Sequence, residues 1–84
     1  MVLDLARLNR WATFHPFDSR RSASGWPDLA LCRPPRLLLL ELKREGGKLT
    51  EDQQRWLELL RQCPGVEVHC FRPADWDAIV KVLT

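Results

Sequence analysis

The chain has 84 residues, a length that suits a single domain spanning residues 1–84. Hydrophobic residues make up 45% and charged residues 29%, a composition typical of a globular domain rather than a disordered one. The longest apolar runs, such as Leu37–Leu40, are far shorter than the roughly 18–20 residues of a membrane span. Asp4 and Arg7 argue against a secretory leader, so we expect a cytoplasmic protein with no membrane partner.

The charge balance permits nucleic-acid binding without requiring it. The formal net charge is +2, and most of the cations are arginine. The planar guanidinium of arginine suits phosphate binding, although a coding bias would also produce an excess of arginine over lysine. The three cysteines cannot all pair with one another, and none lies in Cys-x-x-Cys spacing. We therefore expect reduced thiols and no structural zinc site.

The N-terminal third of the chain predicts a helix, a strand and a loop. Apolar residues recur every three positions from Leu5 through Leu8 to Trp11, which predicts an amphipathic helix over residues 2–12. The aromatic and branched segment 13–17 predicts a strand at an edge of the sheet, because it contains a proline. Small, polar and basic residues then predict a loop over 18–25.

Two apolar runs on either side of Arg33-Pro34-Pro35-Arg36 predict a β-hairpin. Consecutive prolines exclude a helix, so Pro27–Cys32 and Leu37–Lys43 are expected to be its strands. A Thr-x-x-Gln capping box begins a helix at Thr50, and this helix ends before Pro64-Gly65.

The C-terminal segment completes the predicted order α-β-β-β-α-β-α. Val66–Phe71 alternates apolar and polar residues, which predicts a fourth strand. Pro73 suits the first turn of a final helix, and apolar residues follow it at helical spacing.

The register of the hairpin decides where its charged residues lie. If Arg33–Arg36 form a four-residue loop, the numbers of opposed residues sum to 69, and Asp28 faces Glu41 with Lys43 on the same side. Opposed side chains have Cβ atoms about 4.5–5.5 Å apart, so the two carboxylates repel each other unless a cation lies between them. Either the Lys43 ammonium or a divalent metal ion would offset this repulsion. The alternative is a surface salt bridge that closes the strand ends.

Further residues around this hairpin carry a family resemblance. Gly25-Trp26-Pro27-Asp28, followed by Glu41-Leu42-Lys43, resembles the PD-(D/E)xK nuclease signature. More narrowly, the chain resembles the VRR-NUC family of virus-type replication-repair nucleases, whose pattern continues here in Gly47-Lys48-Leu49-Thr50, Gln53 and Trp56. The resemblance covers nearly the whole chain. It implies an α/β fold of the restriction-endonuclease type, with a mixed four-stranded sheet.

The resemblance also implies roles for individual residues. The expected metal ligands for Mg²⁺ or Mn²⁺ are Asp28, Glu41 and the backbone carbonyl of Leu42. The expected catalytic residues are Asp28, Glu41, Lys43 and Gln53, of which Gln53 supports the site from its helix. The expected DNA contacts are His15, Arg20, Arg21, Ser22 and Lys48.

The implied function is a metal-dependent DNA endonuclease for branched, flap or Holliday-junction DNA, acting as a homodimer in phage or mobile-element replication and repair. Members of the family usually carry a further acidic ligand near the start of the first helix, whereas Asp4 is the only acid before Asp18. The main alternative is therefore a nuclease-fold module that binds DNA with weak or no catalysis. A third possibility is a protein-interaction domain that uses the four tryptophans.

Overall fold

The computed structural model describes residues 1–15 and 23–84. Its elements follow in the order α-β-β-β-α-β-α, as the sequence predicts. They are α1 (Val2–Leu8), β1 (Ala12–Phe14), β2 (Leu29–Arg33), β3 (Arg36–Leu42), α2 (Glu51–Arg61), β4 (Glu67–Phe71) and α3 (Trp76–Leu83), with a 3-10 turn over Pro73–Asp75 leading into α3.

The four strands form one mixed sheet in the order β1-β2-β3-β4. Strand β2 is antiparallel to β1 and to β3, whereas β3 and β4 are parallel. The β2–β3 ladder pairs Ala30 with Leu39, which is the register expected from the sequence. It also pairs Arg33 with Arg36, so the turn consists of two prolines rather than the four residues expected. The register is unchanged because shortening the turn symmetrically keeps the same residues opposed.

One face of the sheet carries the main hydrophobic core, against which α1 and α3 pack. Side chains alternate across a strand, so every second residue of β2 and β3 points to this face. Burying these side chains stabilises the fold by about 1.5–3 kcal/mol each. The buried members of this core are Ala6, Trp11, Leu29, Leu31, Leu38, Leu40, Phe71, Ile79 and Leu83.

The opposite face of the sheet is covered by α2. Alternation along β3 places Leu39 and Glu41 on this face, because Leu38 and Leu40 point to the main core. Leu57 of α2 is 1% exposed and supplies the apolar cover. The helix begins as predicted, since the hydroxyl of Thr50 accepts from the Gln53 backbone N–H at 3.1 Å. This second layer buries an acidic side chain between sheet and helix.

The first helix is shorter than its apolar spacing predicts. It ends at Leu8, whose side chain is 80% exposed, and Arg10 then adopts a left-handed backbone with φ of 67°. Trp11 lies outside the helix but is buried, and its Nε1–H donates to the Leu83 carbonyl at 2.9 Å. The expected continuation to residue 12 is therefore wrong, because a tertiary contact with the end of α3 holds this tryptophan.

The strand predicted over 13–17 begins one residue earlier, at Ala12, and the structure places Phe14 as its last residue. Residues 16 and 17 lie outside the described part of the chain. Within residues 1–15 and 23–84, no helix combines the length and apolarity that crossing a bilayer demands.

Candidate active site

The hairpin brings Asp28 and Glu41 together at one end of the sheet. Asp28 directly precedes β2, and Glu41 lies one residue before the end of β3. The backbone N–H of Leu42 donates to Oδ2 of Asp28 at 2.8 Å, which ties this carboxylate to the neighbouring strand. The Asp28 carboxyl is also close enough to Glu41 to raise its pKa. Two acidic side chains thus share one small site.

Glu41 is an unusual residue because it is acidic and only 2% exposed. The Nε2 of Gln53 lies 3.5 Å from its Oε1, and its Oε2 has no hydrogen-bond partner among the described residues. Burial, followed by the neighbouring Asp28 carboxyl, raises the pKa of Glu41 to about 8, although the Lys43 ammonium opposes the shift. Without a cation, this side chain is therefore neutral at pH 7.

Lys43 follows directly after β3 and extends the pairing with β4. Its backbone N–H donates to the Phe71 carbonyl at 2.9 Å, so its position depends on the sheet rather than on a free loop. Its charge lowers the pKa of Glu41, against the effects of burial and Asp28. Lys43 also borders an apolar cavity of about 300 Å³ on the side of α1 and α3, and neither Asp28 nor Glu41 lines that cavity.

Gln53 links the acidic pair to the start of α2. Its Oε1 accepts from the Thr50 backbone N–H at 2.9 Å and completes the capping box. Its Nε2, at the other end of the same amide, faces Glu41. The capping role and the expected role at the site therefore coexist, because each uses a different atom of the amide.

Gly25 packs directly onto the first turn of α2. Its φ is +85°, a conformation that residues with a Cβ rarely adopt. A Cβ at this position would lie 2.5 Å from the Asp52 carbonyl carbon and 2.6 Å from the Gln53 nitrogen. Only glycine permits this approach, so the segment that leads into Asp28 rests against the helix that carries Gln53.

Side chains reinforce the same contact. The Nε1–H of Trp56 donates to the Ser24 carbonyl at 3.0 Å, and the Ser24 hydroxyl donates to Oδ2 of Asp52 at 2.8 Å. The rings of Trp26 and Trp56 meet edge to face, with centroids 4.9 Å apart. In the sequence, Trp56 belongs to the family pattern and to the four tryptophans of the interaction alternative, whereas Ser24 was given no role. The signal available in the sequence was Trp26 inside the Gly-x-Pro-Asp motif together with Trp56 on the predicted helix.

The expected DNA contacts are less completely described. Lys48 is exposed in the segment between β3 and α2. His15 is exposed directly after β1, one residue beyond the Phe14–Ala30 pair and so toward the end of β2 that carries Asp28. The other three expected contacts, Arg20, Arg21 and Ser22, lie outside the described residues.

The turn that precedes Lys48 is held by residues for which the sequence alone predicted no role. The guanidinium of Arg72 donates to the Gly47 carbonyl at 2.7 Å, and the Glu45 carboxylate accepts from the Ala74 backbone N–H at 2.7 Å. These bonds fasten the turn to the start of the 3-10 segment before α3. Lys48 therefore directly follows an anchored turn, which begins just after Lys43.

Asp4 does not join the acidic pair. Its side chain is 86% exposed and lies 3.9 Å from the N-terminal ammonium. Across residues 1–15 and 23–84, no group of three or more His, Cys, Asp or Glu side chains could hold a metal ion. The site thus offers two carboxylates and no third acidic side chain from the described part of the chain.

The two carboxylates nevertheless suit a hard divalent cation. Mg²⁺ commonly binds through one or two carboxylates and completes its octahedron with waters and substrate phosphate oxygens. The unpartnered Oε2 of Glu41 is a buried oxygen that such an ion would satisfy. The donor chemistry of this site therefore fits Mg²⁺ or Mn²⁺ better than a soft metal.

Comparison with known proteins gives one clear relationship. No curated protein and no solved structure matches this chain. The VRR-NUC domain, by contrast, matches residues 4–73, a range that contains Asp28, Glu41, Lys43 and Gln53. The chain therefore belongs to the VRR-NUC family, and this domain implies a nuclease of the PD-(D/E)xK type with DNA as its substrate.

Proposed function

We propose that this protein is a Mg²⁺- or Mn²⁺-dependent DNA endonuclease that hydrolyses phosphodiester bonds. The observation that carries the proposal is the buried Glu41 carboxyl at the end of the sheet where Asp28 accepts from the Leu42 N–H, with the Lys43 charge acting on Glu41. Asp28, Glu41 and the Leu42 carbonyl would hold the ion. When bound, the ion polarises a phosphate oxygen and makes a coordinated water more acidic.

The side chains around the pair have distinct roles in this proposal. The Lys43 ammonium offsets the negative charge that develops on the phosphate during attack by water. The Gln53 amide orients the Glu41 carboxylate, and the Leu42 N–H orients Asp28. Because these donors come from a strand and a helix, the carboxylates keep their positions when the substrate arrives.

The proposed substrate is branched DNA, such as a flap or a Holliday junction, in phage or mobile-element replication and repair. An 84-residue domain contacts only a short length of duplex by itself. A homodimer would place two such sites around the two-fold axis of a junction, and we propose that the protein acts in that form. The family resemblance supports this substrate class and assembly.

A cleavage assay tests the proposed activity. Supercoiled plasmid, a flap and a four-way junction are each incubated with Mg²⁺, with Mn²⁺ or with EDTA. We expect both metals to support cleavage and the branched substrates to be cut faster than linear duplex. Full activity in EDTA would contradict metal dependence, and equal rates on all substrates would contradict the preference for branches.

The exposed position of Asp4 favours a second candidate function, namely DNA binding with weak or no catalysis. Without a third acidic ligand from residues 1–15 or 23–84, the pair would bind metal more weakly than a complete site. DNA binding without cleavage at millimolar Mn²⁺ would establish this alternative. The tryptophan-interaction hypothesis has less support, since Trp11 is buried and Trp26 and Trp56 contact each other.

We expect much of the DNA affinity to be electrostatic. On duplex DNA, each phosphate neutralised contributes about 0.9 to the slope of log affinity against log salt concentration. Replacing both Arg20 and Arg21 by Ala should therefore flatten the slope by about 1–2, and Lys48→Ala by about 1. Fluorescence anisotropy over a salt series measures these slopes.

Lys81→Ala is the matched control for the salt series. Lys81 is exposed in α3, on the face of the sheet opposite α2, and it should leave the slope unchanged. A slope that changes equally in Lys48→Ala and Lys81→Ala would show that general charge, rather than contact at the proposed site, governs binding.

A further inference from the structure

The first two turns of α2 contact both halves of the acidic site. On one side, Gln53 approaches Glu41 of β3. On the other side, Gly25 lies against the backbone of the same helix turn, and Trp56, three residues after Gln53, binds the Ser24 carbonyl. One rigid element therefore touches the strand that carries Glu41 and the segment that carries Asp28.

The link from this contact to Asp28 is short and stiff. Only Trp26 and Pro27 separate Gly25 from Asp28. The proline ring fixes its own φ and restricts the backbone of the preceding tryptophan. Pro27 is also fully buried, so it does not swing to absorb a shift. Any displacement of Gly25 from α2 is thus transmitted to Asp28.

We propose that Gly25 and Trp56 are positioning residues that set the distance between Asp28 and Glu41 through α2. This inference rests on the proposed nuclease function. Gly25 does so by close backbone approach, and Trp56 by its indole N–H bond to Ser24 together with its edge contact on Trp26. Neither residue touches the substrate in this proposal, because both act through Asp28.

Trp56→Phe is the sharpest variant, because it keeps an aromatic ring and removes the N–H donor. Trp11→Phe is its matched control. It removes an equivalent indole bond, to the Leu83 carbonyl at 2.9 Å, at the end of the sheet near the two-proline turn. A purely structural role predicts that both variants lose stability and activity together. If Trp56 is a positioning residue, only Trp56→Phe should change kcat, the Kd for Mn²⁺ and the exchange of the Leu42 amide when the two variants are compared at equal folded fraction.

Three quantities are measured on the full chain, below the melting temperature of each variant. They are kcat and KM for a four-way junction with Mn²⁺, the Kd for Mn²⁺ alone, and hydrogen exchange of the Leu42 amide. For Trp56→Phe we expect kcat to fall and the Kd for Mn²⁺ to rise, each by about 10-fold, since such supporting contacts typically contribute 10–100-fold. KM should change less than kcat. The Leu42 amide, which donates to Asp28, should exchange faster.

Gly25→Ala gives a second and stronger test. The added Cβ would collide with helix backbone, which does not yield as a flexible side chain does, so the segment must move away. A misplacement of about 1 Å is enough to lower kcat by about 100-fold. Gly65→Ala is its control, because a Cβ at Gly65 would meet nothing within 4 Å.

The outcomes separate this inference from the proposed function. Equal effects of Trp56→Phe and Trp11→Phe, or unchanged Leu42 exchange in Trp56→Phe, would overturn the positioning role while leaving the nuclease intact. A wild-type protein that neither binds Mn²⁺ nor cleaves DNA would overturn the proposed function. In that case Leu42 exchange still decides whether Gly25 and Trp56 hold Asp28 in place.

Discussion

Asp28→Asn, Glu41→Gln and Lys43→Ala should each abolish DNA cleavage while the protein remains folded. The first two variants replace a charged metal ligand by a neutral amide of the same shape. The third removes the ammonium whose charge acts on Glu41. Loss of one electrostatic group at a reacting centre costs about 10²–10³-fold in kcat, and loss of the metal costs more. Single-turnover cleavage of a four-way junction measures these losses.

Thermal melting checks the same variants without any catalysis. A divalent ion that binds only the folded protein stabilises it by mass action. Saturating Mn²⁺ should raise the melting temperature of the wild type, by about 4–8 °C for each kcal/mol that metal binding adds to the free energy of unfolding. Asp28→Asn loses one ligand for the ion. Its melting temperature should therefore respond little to Mn²⁺.

Asp77→Asn serves as the control, because Asp77 is exposed in the first turn of α3 and lies outside the site. It should cleave DNA and respond to Mn²⁺ as the wild type does. Retained cleavage in any of the three site variants would contradict the assignment of that residue. A response of Asp28→Asn to Mn²⁺ equal to that of the wild type would show that the ion binds elsewhere.

Glu41→Gln should also remove a large pH dependence from the stability of the metal-free protein. Burial and Asp28 raise the pKa of Glu41 to about 8, whereas the unfolded chain has the ordinary value of 4.5. Between these values the folded state retains a proton that the unfolded state has lost. The free energy of unfolding therefore falls as pH rises through this window, by up to about 5 kcal/mol at about 1.4 kcal/mol per pKa unit.

Urea unfolding in EDTA at pH 5 and pH 8 measures this effect. Glu41→Gln carries no ionisable group at this position, so it should be the more stable protein at pH 8. Burial lowers the pKa of His69, which makes stability rise with pH instead, but this contribution is present in both proteins and cancels in their difference. Glu58→Gln, an exposed change on α2, is the control and should keep the wild-type slope. Equal pH dependence in the wild type and Glu41→Gln would contradict the raised pKa.

The raised pKa also connects stability to metal binding. A cation that binds Glu41 must displace its proton, so affinity for the metal should increase with pH up to about 8. The metal-free protein therefore holds a neutral, buried acid, and the metal-bound protein would hold the carboxylate. The same burial that destabilises the charged side chain provides the low-dielectric surroundings in which a metal and an ammonium act strongly.

Local sequence patterns determined most of the fold. The proline pair between two apolar runs predicted the hairpin, and its register placed Asp28 opposite Glu41. The Thr-x-x-Gln box predicted the start of α2, and both of its hydrogen bonds are present. These features could be predicted because turn chemistry, capping and alternation depend on residues a few positions apart. The motif around the hairpin likewise indicated the family to which residues 4–73 belong.

Only the tertiary structure decided the end of α1, the burial of Glu41 and the contact between Gly25 and α2. Apolar spacing favoured a helix to residue 12, but Trp11 instead bonds to a carbonyl 72 residues away. The sequence predicted that Glu41 faces Asp28 but not that it is buried, and the structure shows a buried side chain with a raised pKa. From the sequence alone Gly25 is a glycine in a turn, and only the structure shows that it packs against the backbone of Asp52 and Gln53. The reason is common to all three: burial and close approach arise from residues distant in sequence, and no local pattern records which of them will meet.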